Sequence, residues 1–97
     1  MSLIVSDVVV SKNGRDEGKT FYVVGIQDDY ALIADGRTRR LEKPKLKKQK
    51  HLRFVQHGDG RTAEKLRKGE HVSNGEIRRE LQSLEATHEE EGGMHNG

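Results

Sequence analysis

Apolar and polar residues alternate in short runs through the first half of the chain, and turn-forming residues separate the runs. Residues 5–12 read VSDVVVSK. Consecutive β-branched side chains between polar flanks favour a strand. Asn13-Gly14-Arg15-Asp16-Glu17-Gly18 follows as a polar loop, and Asn-Gly tolerates the positive φ that a turn needs. Residues 19–27 alternate, with Tyr22, Val24 and Ile26 on the face expected to meet the core and Phe21, Val23, Gly25 and Gln27 on the other. Asp28-Asp29 predicts a tight hairpin into a third strand over residues 30–35, which Gly36 ends. A fourth strand is expected over residues 37–42, stopped by Pro44, which lacks a ladder donor. A last strand is expected over residues 51–56, where Leu52 and Phe54 or Val55 seal the fold. Short strands at this spacing predict a small all-β barrel of about five strands over residues 1–56.

The pattern then changes. Gly58, Gly60 and Gly69 flank the basic stretch RTAEKLRK, and residues 57–72 read as a basic linker. Ser73 followed by Glu76 matches a capping box, in which the hydroxyl accepts from a free helix N–H and the carboxylate reaches back. Ile77, Leu81 and Leu84 recur at helical spacing. A short amphipathic helix is therefore expected over residues 73–86. It docks either on the barrel or on a protein partner through Ile77, Leu81 and Leu84. Residues 87–97, with EEEGGMHNG at their end, read as a disordered acidic tail.

Charge sharpens this picture. The 97 residues carry a formal net charge of only +2. Residues 37–53, however, hold nine Lys or Arg against one acid, Glu42, a balance of +8, while residues 70–97 hold two Arg against seven acids, a balance of −5. Like charges at this density repel unless a polyanion lies nearby, and phosphate backbones are the commonest such partner. The acidic end offers a second candidate, folding over the basic run and blocking it. Hydrophobic residues make up 31% of the chain, enough for a compact domain over part of its length. There is no cysteine, so the fold depends on its core alone. No apolar run approaches a membrane span, and residues 1–5 do not read as a signal peptide. A cytoplasmic protein, monomeric when free, is expected.

Residues 8–35 resemble the KOW motif of ribosomal proteins and transcription elongation factors. VVVSK, NGRDEG and KTFYVVGI supply its strand, glycine-containing loop and second strand, with Gly18 at the signature glycine and Gly14 opening the loop. The stretch GRDEGKTFYVVGIQDDYALIADG is similar to the archaeal and eukaryotic large-subunit ribosomal proteins fourteen-e, with six-e and twenty-seven-e as relatives. The likeness covers residues 5–56. Ser6 stands where those proteins often have glycine, and the chain after Gly69 finds no counterpart. The resemblance implies an SH3-like barrel without catalytic activity that binds RNA, ribosomal RNA foremost, through loops and basic strands.

The expected RNA-binding residues are Lys12, Arg15, Lys19, Arg37, Arg39, Arg40, Lys43, Lys45, Lys47, Lys48, Lys50 and Arg53. Their cationic side chains displace counterions from phosphates. Arginines fork onto phosphate or stack on a base. Phe21 or Tyr30, if exposed, would offer stacking surfaces, although core or hairpin packing is the commoner role for both. Phosphate contacts alone do not separate RNA from DNA. A protein-interaction module, serving transcription or translation as an accessory, is the competing reading.

Nothing points to an enzyme or a cofactor. His51, His57, His71, His88 and His95 are dispersed without metal-ligand spacing. His57 with Asp59 reads as a solvated loop pair. The 14–18 loop lacks the Gly-Lys-Ser/Thr ending of a nucleotide loop. Asp28-Asp29 are turn residues.

Overall fold

The valine triplet of Asp7–Ser11 forms β1, an inner strand of a mostly β domain. A computed structural model describes residues 2–84. β2 is Thr20–Gln27, β3 is Tyr30–Ala34, β4 is Lys45–Lys48 and β5 is Leu52–His57, and Gln49–His51 form a single 3-10 turn between the last two. The strands pair antiparallel in the order β4-β3-β2-β1-β5. Two helices follow: α1, Arg61–Lys68, and α2, residues 74–84. Residues 85 and 86 of the expected helix, the acidic tail with His88 and His95, and its possible return onto the basic run lie outside the described residues.

The sheet is open, and no ladder joins β4 to β5 among the described residues. It is nonetheless curled. β4 and β1 are three strand spacings apart, about 14 Å in a flat sheet. Yet Lys47 Nζ on β4 donates to Ser11 Oγ on β1 at 2.7 Å, which requires the strands to wrap towards each other.

Both faces are buried, which corrects the expected assignment of one face to the core. Val9, Phe21, Val23, Ala31, Ile33 and Leu52 fill the inner face, with Leu3 and Phe54. Val8 and Tyr22 on the other face pack against Val72, Ile77 and Leu81. Phe21 therefore cannot stack on a ligand, being fully buried. Tyr22 belongs to the helix-covered side, and its burial pushes the phenol up to about 12, with Glu80 and Asp59 adding to the shift. Two register shifts break simple alternation. One lies between Val23 and Gly25 and leaves Val24 as the extra residue; the other pairs Val8–Val9 with Gln56–Phe54 and leaves Val55 extra. Both extra valines pack with the helix-side cluster, a bulge's usual re-aiming of a side chain. The first shift also reverses the parity beyond it. Ile26 falls opposite Ala31, not on the side of Tyr22, and stays 39% exposed.

Two further expectations are corrected. Residues 37–42 form turns and no strand; the fourth strand lies after Pro44. The Asp35 carboxylate causes this, accepting from the N–H groups of Arg37 (2.9 Å) and Arg39 (2.8 Å) and from Thr38 Oγ (2.7 Å). Burial opposes its charge, but these donors outweigh burial and hold its carboxyl below the usual range. The expected linker over residues 57–72 contains α1, whose Thr62 and Ala63 are buried. Gly69 ends the helix at φ 73°, with its N–H donating to Leu66 O and that of Glu70 to Lys65 O, a left-handed helix stop.

α2 forms as its capping residues predict. The Glu76 N–H donates to Ser73 Oγ at 3.1 Å. Ile77 and Leu81 are buried and Leu84 is partly buried against the sheet, so this face is occupied within the chain.

Candidate nucleic-acid interface

The glycine-bracketed loop is held open by its backbone. Gly14 (φ 77°) and Gly18 (φ 82°) adopt left-handed conformations. The N–H of Gly18 donates to Ser11 O at 2.9 Å, and that of Lys19 to Asp16 O at 2.9 Å. Asp16 is buried and receives both Nε (3.2 Å) and Nη2 (3.0 Å) of Arg39. Lys47 Nζ reaches the start of the loop, donating to Asn13 O at 2.8 Å as well as to Ser11. The basic segment thus runs beside the loop: Lys47 meets Asn13, Arg39 meets Asp16, and Arg37 lines one cleft with Lys19.

The 3-10 turn then completes a cationic group. The N–H of Lys12 donates to His51 O at 2.9 Å, and Asn13 Nδ2 lies 3.0 Å from His51 Nδ1. This geometry suits a neutral ring with its proton on Nε2. Partial desolvation pulls the His51 pKa below its ordinary value, and the charges of Lys50, Lys47, Lys48 and Lys12 pull it further. Four lysines from three separate segments therefore act on one imidazole. Lys12, Lys48 and Lys50 are exposed. Lys48 Nζ stands 5.8 Å from the centre of the Tyr30 ring, which is 36% exposed.

The remaining expected residues divide by what they touch. Arg39 and Lys47 commit donors inside the chain and shape the loop. Arg40 pairs with Glu42 at 3.0 Å, both side chains exposed. Glu42 also receives Asn74 Nδ2, and these contacts, Asn74 first, lower its pKa. Asn74 Oδ1 accepts from the Leu41 N–H at 2.8 Å, so α2 pins the turn that carries the arginines. Arg15 is exposed on the loop and Lys43 in the turn before Pro44. Lys45 is exposed opposite Ile33. Arg53 is exposed on β5 opposite Val10, on the face away from Leu52.

Sequence reasoning missed His51, Asn13 and Arg78 as members of the surface. His51 was weighed only as a metal ligand, although it follows Lys50 directly. Arg78, on α2, donates Nη1 to Gly36 O at 2.7 Å. Among the described residues, no three His, Asp or Glu lie close enough to hold a metal ion, and no helix is long and apolar enough to cross a membrane.

The fold and surface together define a small, mostly β domain with a cationic loop face. No protein-family profile matches the chain, and no curated protein matches it significantly.

Proposed function

We propose that this protein is a non-enzymatic RNA-binding module of the KOW type, with an SH3-like curled sheet, that associates with ribosomal RNA or the ribosome. The observation that carries the reading is the convergence of three segments on His51, beside a loop bracketed by Gly14 and Gly18: the Lys12 N–H donates to its carbonyl, Lys47 Nζ reaches Asn13 O next to its ring, and Lys48 and Lys50 lie in the segment that leads into it. Such a group has the charge density that a phosphate backbone neutralises. The resemblance over residues 5–56 supports the same reading, and five antiparallel strands are compatible with it. Few aromatic side chains are exposed, so recognition rests on the shape and backbone of folded RNA. The competing protein-interaction reading loses one candidate surface, since the Ile77, Leu81 and Leu84 face packs on the sheet.

Fluorescence anisotropy with a labelled folded ribosomal RNA fragment tests the proposal. Lys12→Glu, Lys48→Glu and Lys50→Glu together replace exposed side chains, so the domain stays folded. Binding by the natural protein and its loss in the folded triple variant is the expected result. Undiminished affinity in that variant would reject the assignment.

A further inference from the structure

A second cationic grouping lies between the sheet and α2, apart from His51. Lys19, at the end of the loop, and Arg37 and Thr38, in the turn after β3, line a cleft of about 370 Å³ with Arg78, Leu81 and Gln82 of α2. Its geometry is built from several directions. Gly36 has φ 77°, and a Cβ there would collide with Asn74 O, so the close approach of α2 to the turn depends on glycine. Arg78 Nη1 is fixed on Gly36 O at 2.7 Å, which leaves further guanidinium donors at the cleft. Asp35 also lines the cleft as a carboxylate, its oxygens turned to the backbone N–H groups of Arg37 and Arg39 and to Thr38 Oγ; its single charge leaves the three cations of the lining in excess.

Three cations from three segments and a carboxamide in one recess recognise a phosphate together with a polar heterocycle. A bare anion needs less room, and the volume falls at the lower end of the roughly 300–1,000 Å³ of small-molecule sites. Leu81 gives the lining an apolar element on which a ring can lie. We propose that this cleft takes a single unpaired nucleotide, its phosphate held by Lys19, Arg37 and Arg78 and its base beside Leu81 and Gln82. As part of a longer RNA, this rests on the RNA-binding reading; as a site for one nucleotide, it stands alone. Splaying a single base out of a folded RNA is how proteins reach base edges that a duplex hides.

Backbone amide NMR on the full chain, titrated with each nucleoside 5′-monophosphate and separately with inorganic phosphate, tests the proposal. Saturable shifts at Lys19, Thr38 and Gln82 are expected with at least one nucleotide, with inorganic phosphate binding about tenfold more weakly or worse. The Lys19→Gln/Arg37→Gln double variant, both side chains exposed, should weaken nucleotide binding by about tenfold or more, the effect of losing a charge-assisted contact. No shifts at these amides, equal binding of inorganic phosphate, or indifference to the double variant would each overturn the inference. The anisotropy of a blunt-ended, fully paired RNA duplex of two strands reports on the RNA-binding reading independently, because it offers no unpaired nucleotide.

Discussion

Ser6 shows how one residue carries a backbone constraint. Its φ is 78° and it is buried at the entry to β1. A side chain in this region is strained by about 1 kcal/mol. Ser6 Oγ gains a partner in return, Arg67 Nη1 at 2.9 Å, which also donates to Gly58 O at 3.1 Å. Ser6→Ala keeps the strain and loses the bond, whereas Ser6→Gly loses the bond and relieves the strain. Urea denaturation should therefore find Ser6→Ala less stable than Ser6→Gly by about 1 kcal/mol. Equal stabilities would mean that the backbone relaxes.

His51 belongs to the same scale. Its free-state pKa lies below the ordinary value, because desolvation and four lysines disfavour a further positive charge. The unfolded chain accordingly binds this proton more readily. His51 therefore lowers folding stability as pH falls through the window beneath the ordinary histidine value. A bound polyphosphate reverses the local field and raises the pKa. Binding then takes up a proton, and affinity increases as pH falls through the interval between the free and bound values. An NMR titration of the His51 ring with and without RNA should show an upward shift on binding. An unchanged or lowered value would place the phosphates elsewhere.

At the scale of elements, α2 organises the surface as well as the core. Asn74 holds the Leu41–Glu42 turn, Arg78 holds Gly36, and Ile77 is fully buried beside Tyr22. Ile77→Ala should cost about 2–5 kcal/mol by thermal or chemical denaturation; a loss below about 1 kcal/mol would mean that α2 docks loosely. Gly36→Ala adds a Cβ at positive φ against Asn74 O. It should destabilise the domain by about 1–3 kcal/mol and shift the amide resonances of residues 74–78. A neutral effect would contradict the close packing.

These elements were unequally legible in the chain. The three valines, the Asp-Asp hairpin and the Ser73–Glu76 cap act through neighbours in sequence, and β1, β2, β3 and α2 follow from them. The strand after Pro44 was misplaced because the Asp35 carboxylate draws the next four residues into turns, an interaction that charge counting does not register. α1 was hidden by its polarity, since Ala63 and Leu66 are its only apolar residues among basic neighbours. Its signals were the Glu64–Lys68 pair, 2.7 Å apart, and the glycine stop at Gly69. The bulges at Val24 and Val55 depend on the partner strands, so alternation assigned the wrong face to Ile26. The basic run was visible as charge. Its convergence with Lys12 on His51 depends on the curl of the sheet, and the roles of Arg39 and Lys47 as internal donors depend on Asp16 and Ser11, distant in sequence.

At the scale of the whole molecule, a small curled sheet with helices on its outer face carries its cations on loops and an edge strand. The described residues join two cationic groupings through the Arg39–Asp16 pair, 3.0 Å long, which stands between the glycine loop and the basic segment. The central claim is that exposed lysines around His51 neutralise an RNA backbone. Its most direct test is the salt dependence of RNA affinity in the natural protein and in a Lys12→Gln/Lys48→Gln/Lys50→Gln variant. Three to six phosphate contacts predict a log–log slope of about −2 to −5, and the variant should be shallower by about two to three. A flat salt response, or a slope that the variant leaves unchanged, would contradict the account.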